Sequence, residues 1–213
     1  MKTKSKREEG APQKKEKFLP ILLGSDENVY GNIRLFREAF PVTPLVLCGA
    51  LLIGVRGSKL CEIRVVPGLD REEVFVPTLR AVLEEKGKEA EKIVVVPCSD
   101  YYAELLARHY GEFEGRISNA MPPPEQIAEL NRKDRFYEIC KKYRLDFPKT
   151  RVLTREEGVG GLCPAEEGFA YPVVLKPENS NATEYLHCRF PGKKKVFFLH
   201  DEEQYKKTVE AVY

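Results

Sequence analysis

The 213 residues are enough for one large domain or two modest ones, and a 42% hydrophobic content supports a real core. The net charge of +2 is uneven, because residues 1–17 carry +4, from seven Lys/Arg against three Glu, and the remainder carries −2. No run approaches the roughly 18 apolar residues of a membrane span, and the N-terminus lacks the apolar core of a signal peptide, so a soluble, cytoplasmic, globular protein without a membrane span is expected.

The basic tail, "MKTKSKREEGAPQKKEK", offers little to pack and is expected to be disordered. No aromatic residue interleaves its lysines, so nucleic acid is not an expected partner. After it, "KFLPILLGSD" reads as a buried strand running into a turn, and "NVYGNIRLFREAF" has helical spacing through Val29, Ile33 and Phe36 or Phe40. "TPLVLCG" and the weaker "LCEIRVV" follow as strands. "DREEVFVPTLRAVLEEKG" begins acidic and stops at Gly87, as a helix should. "KIVVVPCSD" is another strand, and "DYYAELLARHYG" a helix closed by Gly111. Strands alternating with helices predict an α/β fold with a parallel sheet covered on both faces.

The composition changes at the prolines of 122–124, which set the expected boundary between a domain of residues 18–121 and one of residues 122–213. Beyond it the sequence predicts one long helix, "PEQIAELNRKDRFYEICKKYRLD", a strand "KTRVLT" and a loop holding Gly158, Gly160 and Gly161. An antiparallel pair, "YPVVLKP" and "KKVFFLHD", follows. The closing helix is capped by Asp201 with Gln204 three residues on. Six cysteines never come closer than 13 positions, and three histidines are scattered, so neither a metal knuckle nor a redox pair is written in the chain.

Ligands of open parallel sheets lie beyond the carboxyl ends of the strands. That rule nominates Ser25, Asp26 and Asn28 after the first strand and Ser99 and Asp100 after "VVVP" as substrate-binding residues, with helix capping as the plainer reading of each. A dinucleotide loop is disfavoured, because Asp26 and Val29 stand where its later glycines would be needed. Two lysines are embedded in apolar patterns: Lys133 falls in the apolar arc of its helix, and Lys176 shares a strand face with Val174. A lysine can lay its stem on a core and reach water. A pair converging on a polyphosphate would each contribute about 1 kcal/mol in water and about 4 kcal/mol in a partly sheltered site.

The stretches "LPILLGSDENVYGNIRLF", "LNRKDRFYEICKKYRLDFPKTRV" and "YPVVLKPENSNATEYLHCRFPGKKKVFFLHDEEQ" resemble the ATP-grasp carboxylate–amine ligases, most nearly their D-aspartate ligase-like branch. The resemblance implies a Rossmann-like pre-ATP-grasp domain followed by the first (α+β) lobe of an ATP-grasp domain. It implies ATP as cofactor, with Lys133 and Lys176 on its phosphates and a lid over them from Asn179 and Ser180 to Lys194. It also implies Mg2+, an acyl-phosphate intermediate, and a small carboxylate and amine as substrates, as in cell-wall precursor modification. The magnesium ligands and the adenine hinge belong to a later lobe that nothing here matches, so the chain is expected to be the front part of a longer ligase and inactive alone. A non-catalytic binding module on the same fold is the alternative. Homo-oligomerisation is left open by the sequence.

Overall fold

The computed structural model describes residues 17–154, 157, 163–177 and 188–212. The chain forms two compact units, Met1–Ile127 and Ala128–Tyr213. The tail up to residue 16, the loop glycines at 158, 160 and 161, and Asn179 and Ser180 lie outside the described residues.

In the first unit β1 (Leu19–Leu23), β2 (Leu45–Cys48), β3 (Glu62–Val65) and β4 (Ile93–Pro97) form a parallel sheet of order β3-β2-β1-β4. Helices α1 (Glu27–Ala39), α2 (Glu72–Lys86) and α3 (Asp100–Arg108) connect or follow the strands. All five residues of β1 are buried, which is why it reads as an unbroken apolar run. Successive side chains point to opposite faces, and the core divides accordingly. Ile21, Leu23 and Leu47 pack in one cluster with Phe75, Leu79 and Leu105 from α2 and α3. Leu22, Val46 and Cys48 pack in the other with Val29 and Ile33 of α1. The expected parallel sheet, covered on both faces, is present.

Both edges of the sheet are blunted by side chains. Beside β4, the Asn119 amide accepts from Val95 N at 2.9 Å and donates to Val95 O at 3.0 Å, pairing as another strand would. Beside β3, the Lys86 ammonium, only 8% exposed, donates to Glu62 at 3.1 Å and Glu89 at 3.0 Å, while Arg64 binds Glu85 at 2.9 Å. Burial lowers the Lys86 pKa, but the hydrogen bonds to Glu89 and Glu62 and their charges outweigh it, leaving the group above the ordinary lysine value. A pKa raised by folding contributes stability that is full below the unfolded value and is lost as pH climbs through the folded one. Lys86→Met should therefore cost about 1 kcal/mol at neutral pH. The gap from wild type should close above about pH 10.5. Urea unfolding midpoints across a pH series measure this, and a gap independent of pH would assign the loss to packing.

Three expectations about the helices and strands are corrected. First, α3 ends at Arg108, ahead of Gly111, which sits in the 3-10 turn Tyr110–Glu112. The tighter turn brings Phe113, fully buried, into the core. Second, the long helix is two, α4 (Pro124–Asn131) and α5 (Lys133–Lys142), separated by Arg132 in an extended conformation. The Arg132 guanidinium pairs with Asp134 at 2.9 Å, and the break removes the basis for placing Lys133 on a wheel counted from Ile127. Helix α5 also stops short of Asp146. Arg144 takes the left-handed conformation at φ 54°, its N–H donating to Lys141 O at 3.2 Å, and Leu145 N–H donates to Cys140 O at 2.9 Å. This is a Schellman-type ending without the usual glycine.

Third, residues 149–154 form no strand. Lys149 donates to the carbonyls of Glu167 and Gly168, and Arg151 pairs with Glu167, so the segment is tied to the 3-10 turn Pro164–Glu167. Strands β5 (Val173–Leu175) and β6 (Phe197–Leu199) pair antiparallel as expected. Helix α6 (Glu202–Val212) lays Tyr205 and Val209 against Phe197 and Leu199. Its start follows the sequence signal: Gln204 N–H donates to the Asp201 carboxylate at 2.8 Å, and the Gln204 side-chain oxygen accepts from His200 N at 3.2 Å.

Candidate functional site

The first unit carries a cleft of about 370 Å³ at the carboxyl ends of its strands. The chain runs from β1 to β2 on one side and returns to β4 on the other, so the ends of β1 and β4 flank the point where strand order reverses. Gly24, Ser25 and Asp26 enter the cleft after β1, and Cys98, Ser99 and Tyr102 after β4. Gly49 follows β2, and Gly68 and Asp70 lie on the turn after β3.

Local chemistry fixes these residues. Gly24 has φ +117°, and a Cβ there would come within 3.2 Å of Val29 Cγ2, so only glycine turns β1 into α1 this closely. Ser25 is buried. Its hydroxyl donates to Ala50 O at 2.6 Å and accepts from Leu52 N at 3.1 Å, joining the β1 turn to the loop after β2. Asp26 caps α1, accepting from Asn28 N at 3.1 Å and Val29 N at 3.2 Å. Ser99 caps α3, accepting from Tyr102 N at 3.3 Å. The Cys98 thiol is pushed up to about 11 by burial and then by the charge of Asp26, and is therefore protonated at neutral pH.

Of the five residues nominated for this cleft, Ser25, Asp26 and Ser99 line it. Asn28 and Asp100 do not; they are exposed, in the first turns of α1 and α3. Sequence reasoning overlooked Gly49, Asp70, Cys98 and Tyr102. The strand-end rule that found Ser25 and Ser99 also reaches Gly49 and Cys98. Asp70 and Tyr102 arrive from a turn and a helix, and no local pattern marks them.

In the second unit, Lys176 directly follows β5 and is exposed, and Lys133 is the first residue of α5 and half-buried. Val173 and Leu175 pack inward, leaving Val174 51% exposed. The register places Val174 opposite Phe198, which is 65% exposed. Alternation adds Lys176 to that outer face. It thus presents two apolar side chains beside a cation, the composition that a base with attached phosphates requires. Phe198 was legible in "FFL", where Phe197 and Leu199 turn inward. Lys194 lines a second groove, of about 290 Å³, with Phe190, Phe198 and Lys207. Among the described residues no group of three or more His, Cys, Asp or Glu side chains is placed to hold a metal ion, so no magnesium ligand is assigned here. No described helix is long and apolar enough to cross a membrane.

No family model matches the chain. Over 199 residues it is 37% identical to the D-aspartate ligase of Enterococcus faecium, a match covering 93% of this chain and 47% of that enzyme. The chain is homologous to the N-terminal part of an ATP-grasp carboxylate–amine ligase. It spans about half the length of the curated relative it matches. Solved ATP-grasp structures share the fold. An L-amino acid ligase from Bacillus licheniformis superposes with a TM-score of 0.52 at 14% identity, over 93% of this chain and 42% of that one. An N5-carboxyaminoimidazole ribonucleotide synthetase solved with ADP gives a TM-score of 0.54 at 14% identity, over 93% and 45%. A carboxyaminoimidazole ribonucleotide synthase from Aspergillus clavatus, solved with ATP, gives 0.52 at 16% identity, over 92% and 44%. At such identities the likeness is one of fold. The matched region is the N-terminal portion of these ATP-grasp proteins, where a parallel-sheet domain is followed by the first lobe of the ATP-grasp domain.

Proposed function

We propose that this chain supplies the front part of a cytoplasmic, ADP-forming, ATP-dependent ligase that joins a carboxylate to an amine. The 37% identity to a D-aspartate ligase over nearly the whole chain carries the reading. ATP would phosphorylate the carboxylate, and the amine would attack the acyl phosphate, forming the C–N bond and releasing phosphate. Lys133, Lys176 and Lys194, with Asn179 and Ser180 on the lid, are assigned to the ATP phosphates, and the outer face of β5 and β6 to the base. The cleft of the first unit, with Ser25, Asp26 and Ser99, is assigned to a substrate, with Asn28 and Asp100 behind the caps. Magnesium, when bound with ATP, would neutralise phosphate charge. D-aspartate as the acid, and a cell-wall precursor as the amine, follow from the relative's name and from resemblance.

Calorimetry of MgATP binding to this chain tests the nucleotide half, and release of ADP with paired amino acids by a full-length ligase that carries this chain at its front tests the reaction. Saturable MgATP binding that weakens in Lys133→Ala is the expected result. A chain that binds no MgATP would abandon the ligase reading for a ligand-binding module on the same fold.

A further inference from the structure

We infer that the exposed aromatic face of α5 and of the turn that follows it is the surface on which the later lobe of the same polypeptide docks. The inference rests on the reading of this chain as the front part of a longer ligase, and adds the surface by which that part holds the rest.

Helix α5 has ten residues, and Cys140 is the only one of them that is buried. A helix this short is marginal in water unless an apolar face is packed. Such a face is present, since Phe136, Cys140 and Tyr143 recur at i, i+4 and i+7. Yet Phe136 is exposed and Tyr143 is 64% exposed. Every residue from 141 to 150 is exposed as well, with Leu145 at 57% and Phe147 among them.

These side chains are held in place. Leu145 N–H donates to Cys140 O at 2.9 Å and closes the helix end, and the Phe147 ring lies back on Tyr137 with centroids 5.7 Å apart. The Lys142 ammonium sits over the Tyr143 ring, 5.4 Å from its centroid. Single exposed apolar residues are ordinary, but four within twelve positions, fixed by backbone and ring contacts, mark a contact surface.

Charge, area and length select the occupant. Residues 134–147 hold four Lys/Arg against three Asp/Glu, a net charge of +1, which is too little for an anionic lipid surface or a nucleic-acid backbone. A whole buried aromatic covers about 150–250 Å², so these partly exposed side chains leave on the order of 300 Å². A stable complex of free partners needs about 800 Å² on each side. A partner in the same polypeptide needs far less, because its effective concentration is high. The match to the D-aspartate ligase covers 47% of that enzyme, and the rest of it has no counterpart here. The complement expected on that later lobe is an apolar hollow with carboxylates opposite Lys141, Lys142 and Arg144, which stand exposed at the end of α5.

The experiment is hydroxyl-radical footprinting read by mass spectrometry, on this chain alone and on a full-length ligase that carries it at its front. Tyr143, Leu145 and Phe147 should oxidise freely in the chain alone at every protein concentration. In the full-length protein their oxidation, relative to a tracer peptide in the same solution, should fall about fivefold or more as the contact excludes water. Tyr143→Ser combined with Leu145→Ser should leave the urea midpoint of the chain alone unchanged and lower that of the full-length protein. The inference is overturned if the three side chains oxidise equally in both proteins, or if the double variant lowers both midpoints alike. It is also overturned if the chain alone protects them as concentration rises, with a dimer mass by light scattering, which gives the face to a second copy, or if anionic phospholipid vesicles protect them. ADP release, read on the same full-length preparation, keeps the outcomes apart. Release with the face still open defeats this inference alone, and a covered face with neither MgATP binding nor ADP release defeats the ligase reading alone.

Discussion

Phe75→Ala is expected to destabilise the first unit by about 3–5 kcal/mol, a large share of the roughly 5–15 kcal/mol that holds a typical domain folded. Phe75 is fully buried and meets Phe113 edge-on, with ring centroids 6.2 Å apart, and Tyr102 at 6.5 Å. Truncation removes the buried ring, leaves a cavity, and loses the edge-on pairing. Phe75→Leu fills most of that volume and should cost about 1 kcal/mol. Chemical denaturation measures both, and hydrogen exchange at the amides of β1 and β4 locates the loss. A cost for alanine no greater than that for leucine would show that this core collapses onto the gap. Because Tyr102 lines the cleft, the alanine variant should also broaden the NMR signals of the amides around it.

Lys176→Ala is expected to weaken MgATP binding about tenfold or more with no change in stability. The residue is exposed, so its removal leaves no cavity and breaks no core contact. A lysine–phosphate contact contributes about 1 kcal/mol in water and about 4 kcal/mol when partly sheltered, and each 1.4 kcal/mol is a factor of ten. Lys176→Arg keeps the charge and should recover most of the affinity. Phe198→Ala removes an apolar surface and leaves the charge, so it should weaken adenosine and MgATP alike, whereas Lys176→Ala should spare adenosine. Equal loss of both ligands in Lys176→Ala would mean that the lysine does not meet phosphate.

The first unit was largely legible because β1 and β2 are buried on both faces and β4 is at least partly buried throughout. "LPILL", "LVLC" and "IVVVP" announce themselves as unbroken apolar runs, and the helices between them carry acidic starts and apolar spacing. Asp201 and Gln204 were equally plain, since a cap acts across three residues. The misread elements depended on distant partners. Nothing in "LNRKDRF" announces that Arg132 leaves the helix, and nothing in "YRLD" supplies the glycine that would mark its end at Lys142. "KTRVLT" has strand composition, but Lys149 and Arg151 bind the turn at Pro164–Glu167, and those side-chain bonds take precedence over a ladder.

The same division separates the site residues. Ser25, Asp26 and Ser99 could be nominated because the carboxyl end of a strand is a position in the sequence as well as in space. That Asp70 and Tyr102 reach the same hollow was decided only by the folded chain, since the sheet gathers the ends of four strands that are far apart in sequence. Local pattern determined which segments became strands and helices, because burial and capping act over a few residues. The make-up of the cleft belongs to the tertiary structure, because the fold decides which distant residues come within reach of one another.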